Sequence, residues 1–152
     1  MSTSITTWQR DAYLISTDQA RLDLATAHRF IAGTYWAKDI PFDTFLRSVR
    51  GAICFGVYHE AALVGFARVI SDCATIAYLG DVYIDPAYRG QGLSKWLMEC
   101  ISAHPDLQGL RRWMLLTSDA HELYRQYGFT DLAKPSLWME KAVANLYQKS
   151  AE

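Results

Sequence analysis

Between Asp81 and Lys95 the chain reads Asp-Val-Tyr-Ile-Asp-Pro-Ala-Tyr-Arg-Gly-Gln-Gly-Leu-Ser-Lys, an order of residue types suited to gripping an anion. An apolar run, Val82-Tyr83-Ile84, leads through Pro86 into a turn with two glycines, Gly90 and Gly92, and then into a helical pattern that starts at Leu93. Glycines admit positive φ and leave backbone N–H groups uncovered. The first N–H groups of a helix have no partner inside it, and its dipole favours negative charge there. Strand, glycine turn and helix start therefore make a cradle for a phosphate or pyrophosphate, with Arg89 and Lys95 adding positive charge at its rim. The spacing is neither a Rossmann fingerprint, which needs a third glycine, nor a Walker A loop, which needs Gly-Lys-Ser/Thr. Taken alone, the segment also suits a turn that only starts a helix.

The elements that must hold this turn follow from hydrophobic period. A short strand is expected over Ala12–Ile15, followed by Asp18 as a helix N-cap. Leu24, Ala27, His28 and Ile31 then recur at helical spacing, closed by Gly33. A second helix begins after Pro41, with Phe42, Phe45, Leu46 and Val49 on one face. Three runs rich in β-branched and aromatic residues, Ile53–Tyr58, Leu63–Ile70 and Thr75–Ile84, are separated by short turns as in an antiparallel meander. Gly80 interrupts the third, where a bulge or a close approach is expected. Leu93, Leu97, Met98 and Ile101 mark a helix that stops before Pro105, and Trp113–Leu116 is a short buried strand. Asp119 and Glu122 are spaced as a capping box for a helix carrying Ala120, Leu123, Tyr124 and Tyr127 on one face, with Gly128 as its stop. Leu137–Met139 reads as a last strand and Val143–Tyr147 as a final helical turn or two.

Composition removes several functions. The 152 residues suit one domain, with a core over about residues 12–141 and only the first few residues and the tail after Tyr147 loose. A net charge of −1 gives no electrostatic case for nucleic acid. Cys54, Cys73 and Cys100 are odd in number and widely spaced, which argues against a disulfide framework or a zinc site. His28, His59, His104 and His121 form no metal-spaced cluster, so no metal is expected. Met1–Thr7 lacks the features of a secretory signal, and no run approaches the ~20 apolar residues of a membrane span. A cytoplasmic protein without membrane or nucleic-acid partners is expected; a homodimer stays open.

Two motifs give the chain a family likeness. Arg89-Gly90-Gln91-Gly92-Leu93-Ser94 resembles the Arg/Gln-x-x-Gly-x-Gly/Ala signature of the GCN5-related N-acetyltransferase (GNAT) superfamily, with serine at the last position. Downstream, Ala120-His121-Glu122-Leu123-Tyr124-Arg125-Gln126-Tyr127-Gly128-Phe129 resembles a second stretch of the same superfamily, Ala-x-x-Leu-Tyr-x-x-x-Gly-Phe. The likeness covers roughly Ala12 to Lys141. It implies an α/β fold: a mixed, mostly antiparallel sheet of six or seven strands flanked by helices, with a splayed strand pair that admits acetyl-coenzyme A.

The resemblance also implies roles. Val82, Tyr83 and Ile84 fall where the family's strand meets the pantetheine arm and acetyl carbonyl. Arg89, Gly90, Gln91, Gly92, Leu93, Ser94 and Lys95 fall where the pyrophosphate binds. Tyr124 falls on a tyrosine that faces the coenzyme sulfur, where it can protonate the departing thiolate. Its alternative is a core tyrosine on an apolar helix face. The strand Trp113-Met114-Leu115-Leu116 has no glutamate where some members keep a base. Asp81 is the candidate to bind or deprotonate the acceptor amine, and a strand-end aspartate with no such role is the other reading. Thr117-Ser118-Asp119 replaces a loop that often carries asparagine, which puts coenzyme contacts from that loop in doubt. Tyr35 and Trp36, between the first two helices, either wall the acceptor pocket or pack helices onto the sheet. The activity implied is acetyl transfer to a small-molecule or peptide amine by direct attack in a ternary complex. A non-catalytic acyl-coenzyme A-binding domain and an enzyme for longer acyl groups are the alternatives.

Overall fold

The computed structural model describes residues 4–148. Six strands lie in chain order across one sheet: β1 (Thr7–Arg10), β2 (Tyr13–Ser16), β3 (Ile53–His59), β4 (Ala62–Ser71), β5 (Ile76–Ile84) and β6 (Arg112–Leu115). Neighbours pair antiparallel except β5 and β6, which run parallel and are joined by helix α3 (Leu93–Ala103). The meander and the parallel crossover follow the expectation. β1 was not expected; four mostly exposed residues carry too little apolar pattern to announce a strand.

Alternating side chains divide between two cores. On one face α3 lays Leu93, Trp96, Leu97, Met98 and Ile101 against Phe55, Val64, Ala67 and Leu79. On the other, α1 (Leu24–Ala32) and α2 (Phe42–Arg50) cover Cys54, Tyr58 and Phe66 with Ala27, Ile31, Phe45 and Val49. Asp18 caps only a 3-10 turn, Gln19–Arg21, by accepting from Ala20 N–H. The cap of α1 is Asp23, which accepts from Thr26 N–H at 3.1 Å. Pro41 occupies the N-cap of α2.

The C-terminal third departs from expectation more strongly. Helix α4 is short, His121–Arg125, and its N-cap is Ala120 without a side-chain hydrogen bond. Asp119 does not cap it; the Thr117 hydroxyl accepts from Ala120 N–H at 3.1 Å instead. Gly128, at φ 91, does end the segment. Leu137–Met139 is not a strand. Pro135 starts a 3-10 turn, Pro135–Leu137, because it offers a preset φ and no N–H to a ladder, and Trp138 ends under the Arg112 guanidinium at 5.3 Å. Val143–Tyr147 forms turns but no helix. The outer edge of β6 thus pairs with no strand among the described residues.

One glycine keeps β4 tight against β5. Gly65 pairs with Ile84, and a Cβ there would stand 2.8 Å from Ile84 Cδ1 and 3.1 Å from the Tyr83 carbonyl oxygen. Gly65→Ala should destabilise the protein by about 1–3 kcal/mol, the range for overpacking a filled core. A urea midpoint lowered at unchanged slope is the expected reading; an unchanged midpoint would show that the strands yield at no cost.

Candidate active site

β5 and β6 pair only from Ile76–Arg112 to Leu79–Leu115, after which β6 ends and β5 continues to Ile84. The sheet therefore opens beside Gly80–Ile84. In an antiparallel pair alternate N–H and C=O groups face away from the partner. The β5 groups that face away from β4 here pair with no strand among the described residues, which leaves them able to bond a ligand.

The same stretch holds a β-bulge. Phe66 pairs with Tyr83 and Arg68 with Gly80, so Asp81 and Val82 together oppose Ala67. Asp81 takes φ 55, a left-handed conformation that Asp tolerates better than bulky residues. The extra residue shifts the phase of the strand. Leu79, Val82 and Ile84 face the α3 core, while Tyr83 and Asp81 face the α1 side, Tyr83 stacking on Phe30 at 4.8 Å. Strict alternation from Leu79 would have driven the Asp81 carboxylate into the α3 core.

On the α1 side that carboxylate is held at both oxygens. Arg68 Nε donates to Oδ2 at 2.9 Å, and Trp36 Nε1 donates to Oδ1 at 2.8 Å. The Arg68–Asp81 pair is largely buried, with side-chain exposures of 18% and 9%. Asp81, Trp36 and Tyr35, named from sequence as one acceptor wall, come together: Tyr35 stacks edge-on with Trp36 at 5.0 Å, and its hydroxyl accepts from Ser118 N–H at 3.1 Å. Both rings remain substantially exposed. The loop after α1 thus spans from the bulge to the segment after β6. Arg68 escaped the sequence reading; its only signal was one cation inside an otherwise apolar run.

The glycine turn sits at the end of β5. Asp85 accepts from Ala87 N–H to start a 3-10 turn at Pro86, and Gly90 and Gly92 adopt φ 82 and 79. Gly92 is the N-cap of α3, and the first helical bond runs from Trp96 N–H to the Gly92 carbonyl. The N–H groups of Leu93, Ser94 and Lys95 precede it and have no acceptor within the helix. A Cβ at Gly90 or Gly92 would meet nothing within 4 Å, so the turn faces open space. Arg89 is anchored by its Nε to the Ile84 carbonyl at 2.8 Å, over the Tyr83 ring, which leaves the terminal guanidinium fork to reach an anion. Gln91 is steadied by the Tyr13 hydroxyl at 2.9 Å, a contact across the sheet that sequence spacing could not reveal.

Tyr124 is buried, 8% exposed, and packs edge-on against Phe129 at 6.0 Å. Burial, reinforced by the charges of Asp119 and Tyr35, pushes its phenol up to about 12. It stays protonated across the neutral range. Tyr78 is also raised, first by burial and then by Asp81. A cavity of about 690 Å³ opens beside Tyr124, lined by Tyr78, Met114, Leu116 and His121. A larger one, about 820 Å³, lies between α3 and residues 127–138 and touches neither Tyr124 nor Asp81. Two of the other histidines hold structural posts: His28 bonds the Ile40 carbonyl, and His104 is buried between Ser4 and Asp106. No group of three or more His, Cys, Asp or Glu suited to a metal occurs among the described residues.

This geometry has close counterparts. Residues 50–131 match the family profile described as an acetyltransferase (GNAT) domain. A crystal structure of a protein from Xanthomonas campestris pv. campestris, described as a GNAT-family acetyltransferase, superposes with a TM-score of 0.88 at 51% identity, covering 90% of this chain and 97% of that one. A protein of Gibberella zeae described as an acetyltransferase is 34% identical, covering 77% of this chain and 78% of the relative. An acetyltransferase of Clostridium acetobutylicum crystallised with acetyl-CoA shares the fold at 14% identity and a TM-score of 0.57, over 86% of this chain and 94% of that one. With its open β5 edge, its glycine turn before α3 and the profile match across both, the chain belongs to the GNAT acetyltransferase family.

Proposed function

We propose that the protein transfers an acetyl group from acetyl-CoA to the nitrogen of an amine, by direct attack with both substrates bound. The observation that carries this reading is the opening beside Gly80–Ile84, followed in the chain by the glycine turn at the start of α3, with Tyr124 buried in the same core as Val82 and Ile84. The acetyl-CoA held by the Clostridium acetobutylicum relative supports the choice of donor. Arg89, Gly90, Gln91, Gly92, Leu93, Ser94 and Lys95 would hold the pyrophosphate, and Val82, Tyr83 and Ile84 would line the pantetheine and acetyl group.

Each residue then has a chemical task. The amine nitrogen attacks the thioester carbon, and a backbone N–H of the open β5 segment stabilises the oxyanion that forms. The C–S bond breaks as the carbonyl re-forms, and Tyr124 gives its proton to the departing thiolate. The nitrogen loses a proton, accepted by Asp81 or passed through it to water, and solvent returns one to Tyr124. Amine plus thioester becomes amide plus thiol, with no net change in protons. Acetyl-CoA tested against a library of primary amines, read by thiol release, checks the whole scheme; binding without release would identify a non-catalytic binder.

Gly92→Val should leave the protein folded and abolish acetyl-CoA binding by calorimetry, because valine strongly resists the positive φ that opens this turn. Unchanged affinity would remove the turn from the coenzyme site. Asp81→Asn should raise the acceptor KM or alter the pH–rate profile while acetyl-CoA affinity stays near normal. Acceptor kinetics equal to wild type across pH would assign the deprotonation elsewhere.

Tyr124→Phe keeps the ring and its contact with Phe129 but removes the transferable proton. It should lower kcat by roughly 10²–10⁴-fold with little change in melting temperature. Because the phenol is pushed up to about 12, Tyr124 itself should contribute no alkaline fall in wild-type kcat below about pH 10. Near-normal turnover in the variant, with chemistry limiting the rate, would reduce Tyr124 to a packing residue.

A further inference from the structure

We propose that Arg68 is a specificity-determining residue: by neutralising Asp81 inside the acceptor site, it makes the enzyme select weakly basic amines over strongly basic ones. The inference rests on the amine-transfer reading above and deepens it by naming the class of acceptor.

The argument starts from the carboxylate. Asp81 sits beside the Val82–Ile84 segment, where an incoming amine would meet the thioester, and a free carboxylate there would attract ammonium groups. It is not free. Arg68 Nε holds Oδ2 at 2.9 Å and Trp36 Nε1 holds Oδ1 at 2.8 Å. The pair is mostly shielded from water, so its charges are screened far less than those of a surface pair. An ammonium entering this site meets the Arg68 cation as well as the Asp81 anion, and must shed its own hydration shell. Asp119, whose charge reaches Tyr124, is exposed and therefore screened by solvent, so it offers a weaker counter-charge. A neutral amine loses little on entry. It also carries the lone pair that attack requires, and can donate an N–H to a lone pair that each Asp81 oxygen retains. The class of acceptor that fits is an amine largely unprotonated at neutral pH: an arylamine, a hydroxylamine ether or an arylhydrazine.

The test uses pairs of probes that share a skeleton and differ in basicity: methylamine with methoxyamine, and benzylamine with O-benzylhydroxylamine. For each pair the ratio of kcat/KM, basic over weakly basic, is compared between wild type and variants, so that intrinsic reactivity cancels. Arg68→Gln leaves Asp81 charged and unpaired, and should raise the ratio roughly tenfold or more, the scale set by one opposite charge at close range. Arg68→Lys retains the cation and should keep the ratio near wild type. The double variant Arg68→Gln/Asp81→Asn should lose the gain. The indole N–H resonance of Trp36 in a nitrogen-15 spectrum, assigned with Trp36→Phe, reports whether Asp81 still holds its place.

A folded Arg68→Gln protein with an unchanged ratio would overturn the proposal, as would a Lys variant that shifts as far as the Gln variant. Should Arg68→Gln fail to fold, Asp81→Asn carries the test alone. It leaves an unpaired cation, so the ratio must fall by roughly tenfold, and no fall overturns the proposal. Thiol release at unchanged ratios sinks this inference only; no release from any amine with any protein sinks the transferase reading and this inference with it.

Discussion

A single extra residue in β5 governs the arrangement of the site. Where Asp81 and Val82 oppose Ala67, the strand changes phase, and every side chain beyond that point lies on the face opposite to the one strict alternation would give. Val82 and Ile84 stay in the α3 core because of it, and Asp81 leaves that core for the side where Arg68 and Trp36 wait. An unpaired carboxylate buried among Leu79, Leu97 and Met98 would carry a desolvation cost of several kcal/mol, on the scale of a small domain's whole stability. The bulge, its positive φ and the ion pair are one device seen from three sides.

The parting of β5 from β6 completes what the bulge begins. Parallel pairing ends at Leu79 and Leu115, so the bulged stretch has a partner on one side only. Backbone groups that a wider sheet would consume are left for a ligand, at the carboxyl end of β5 where α3 begins. Strand end, glycine turn and helix start follow one another closely in the chain, which would hold the proposed carbonyl chemistry and anion binding in one short span. The tertiary contacts that brace this span come from elsewhere in the chain: Tyr13 to Gln91, and the Tyr127 hydroxyl to the Lys95 carbonyl at 2.9 Å.

The two ionisable groups nearest the proposed chemistry sit in different surroundings. Tyr124 is kept neutral by burial, with Asp119 and Tyr35 adding to the cost of ionising it. Asp81 accepts from a guanidinium and an indole N–H, so both of its oxygens are engaged. One environment preserves a proton to give, and the other preserves a site that accepts hydrogen bonds.

Sequence alone determined those features that depend on local order. Gly90 and Gly92 ahead of an amphipathic helix, the alternation in the β3–β5 runs and the inward face of Tyr124 are properties of consecutive residues, and each is legible in the sequence. The mostly antiparallel sheet and the family likeness followed from them. Tertiary structure decided what depends on register between distant segments. The position of the bulge is a mismatch between β4 and β5, so neither strand's own pattern displays it. Arg68 and Trp36 reach Asp81 from 13 and 45 residues away in the chain. The expected cap at Asp119 lost to Thr117, and the expected strand at Leu137–Met139 lost to the turn that Pro135 starts. Periodicity reports which face of an element is apolar, but only the fold settles which charged groups from other elements share the other face.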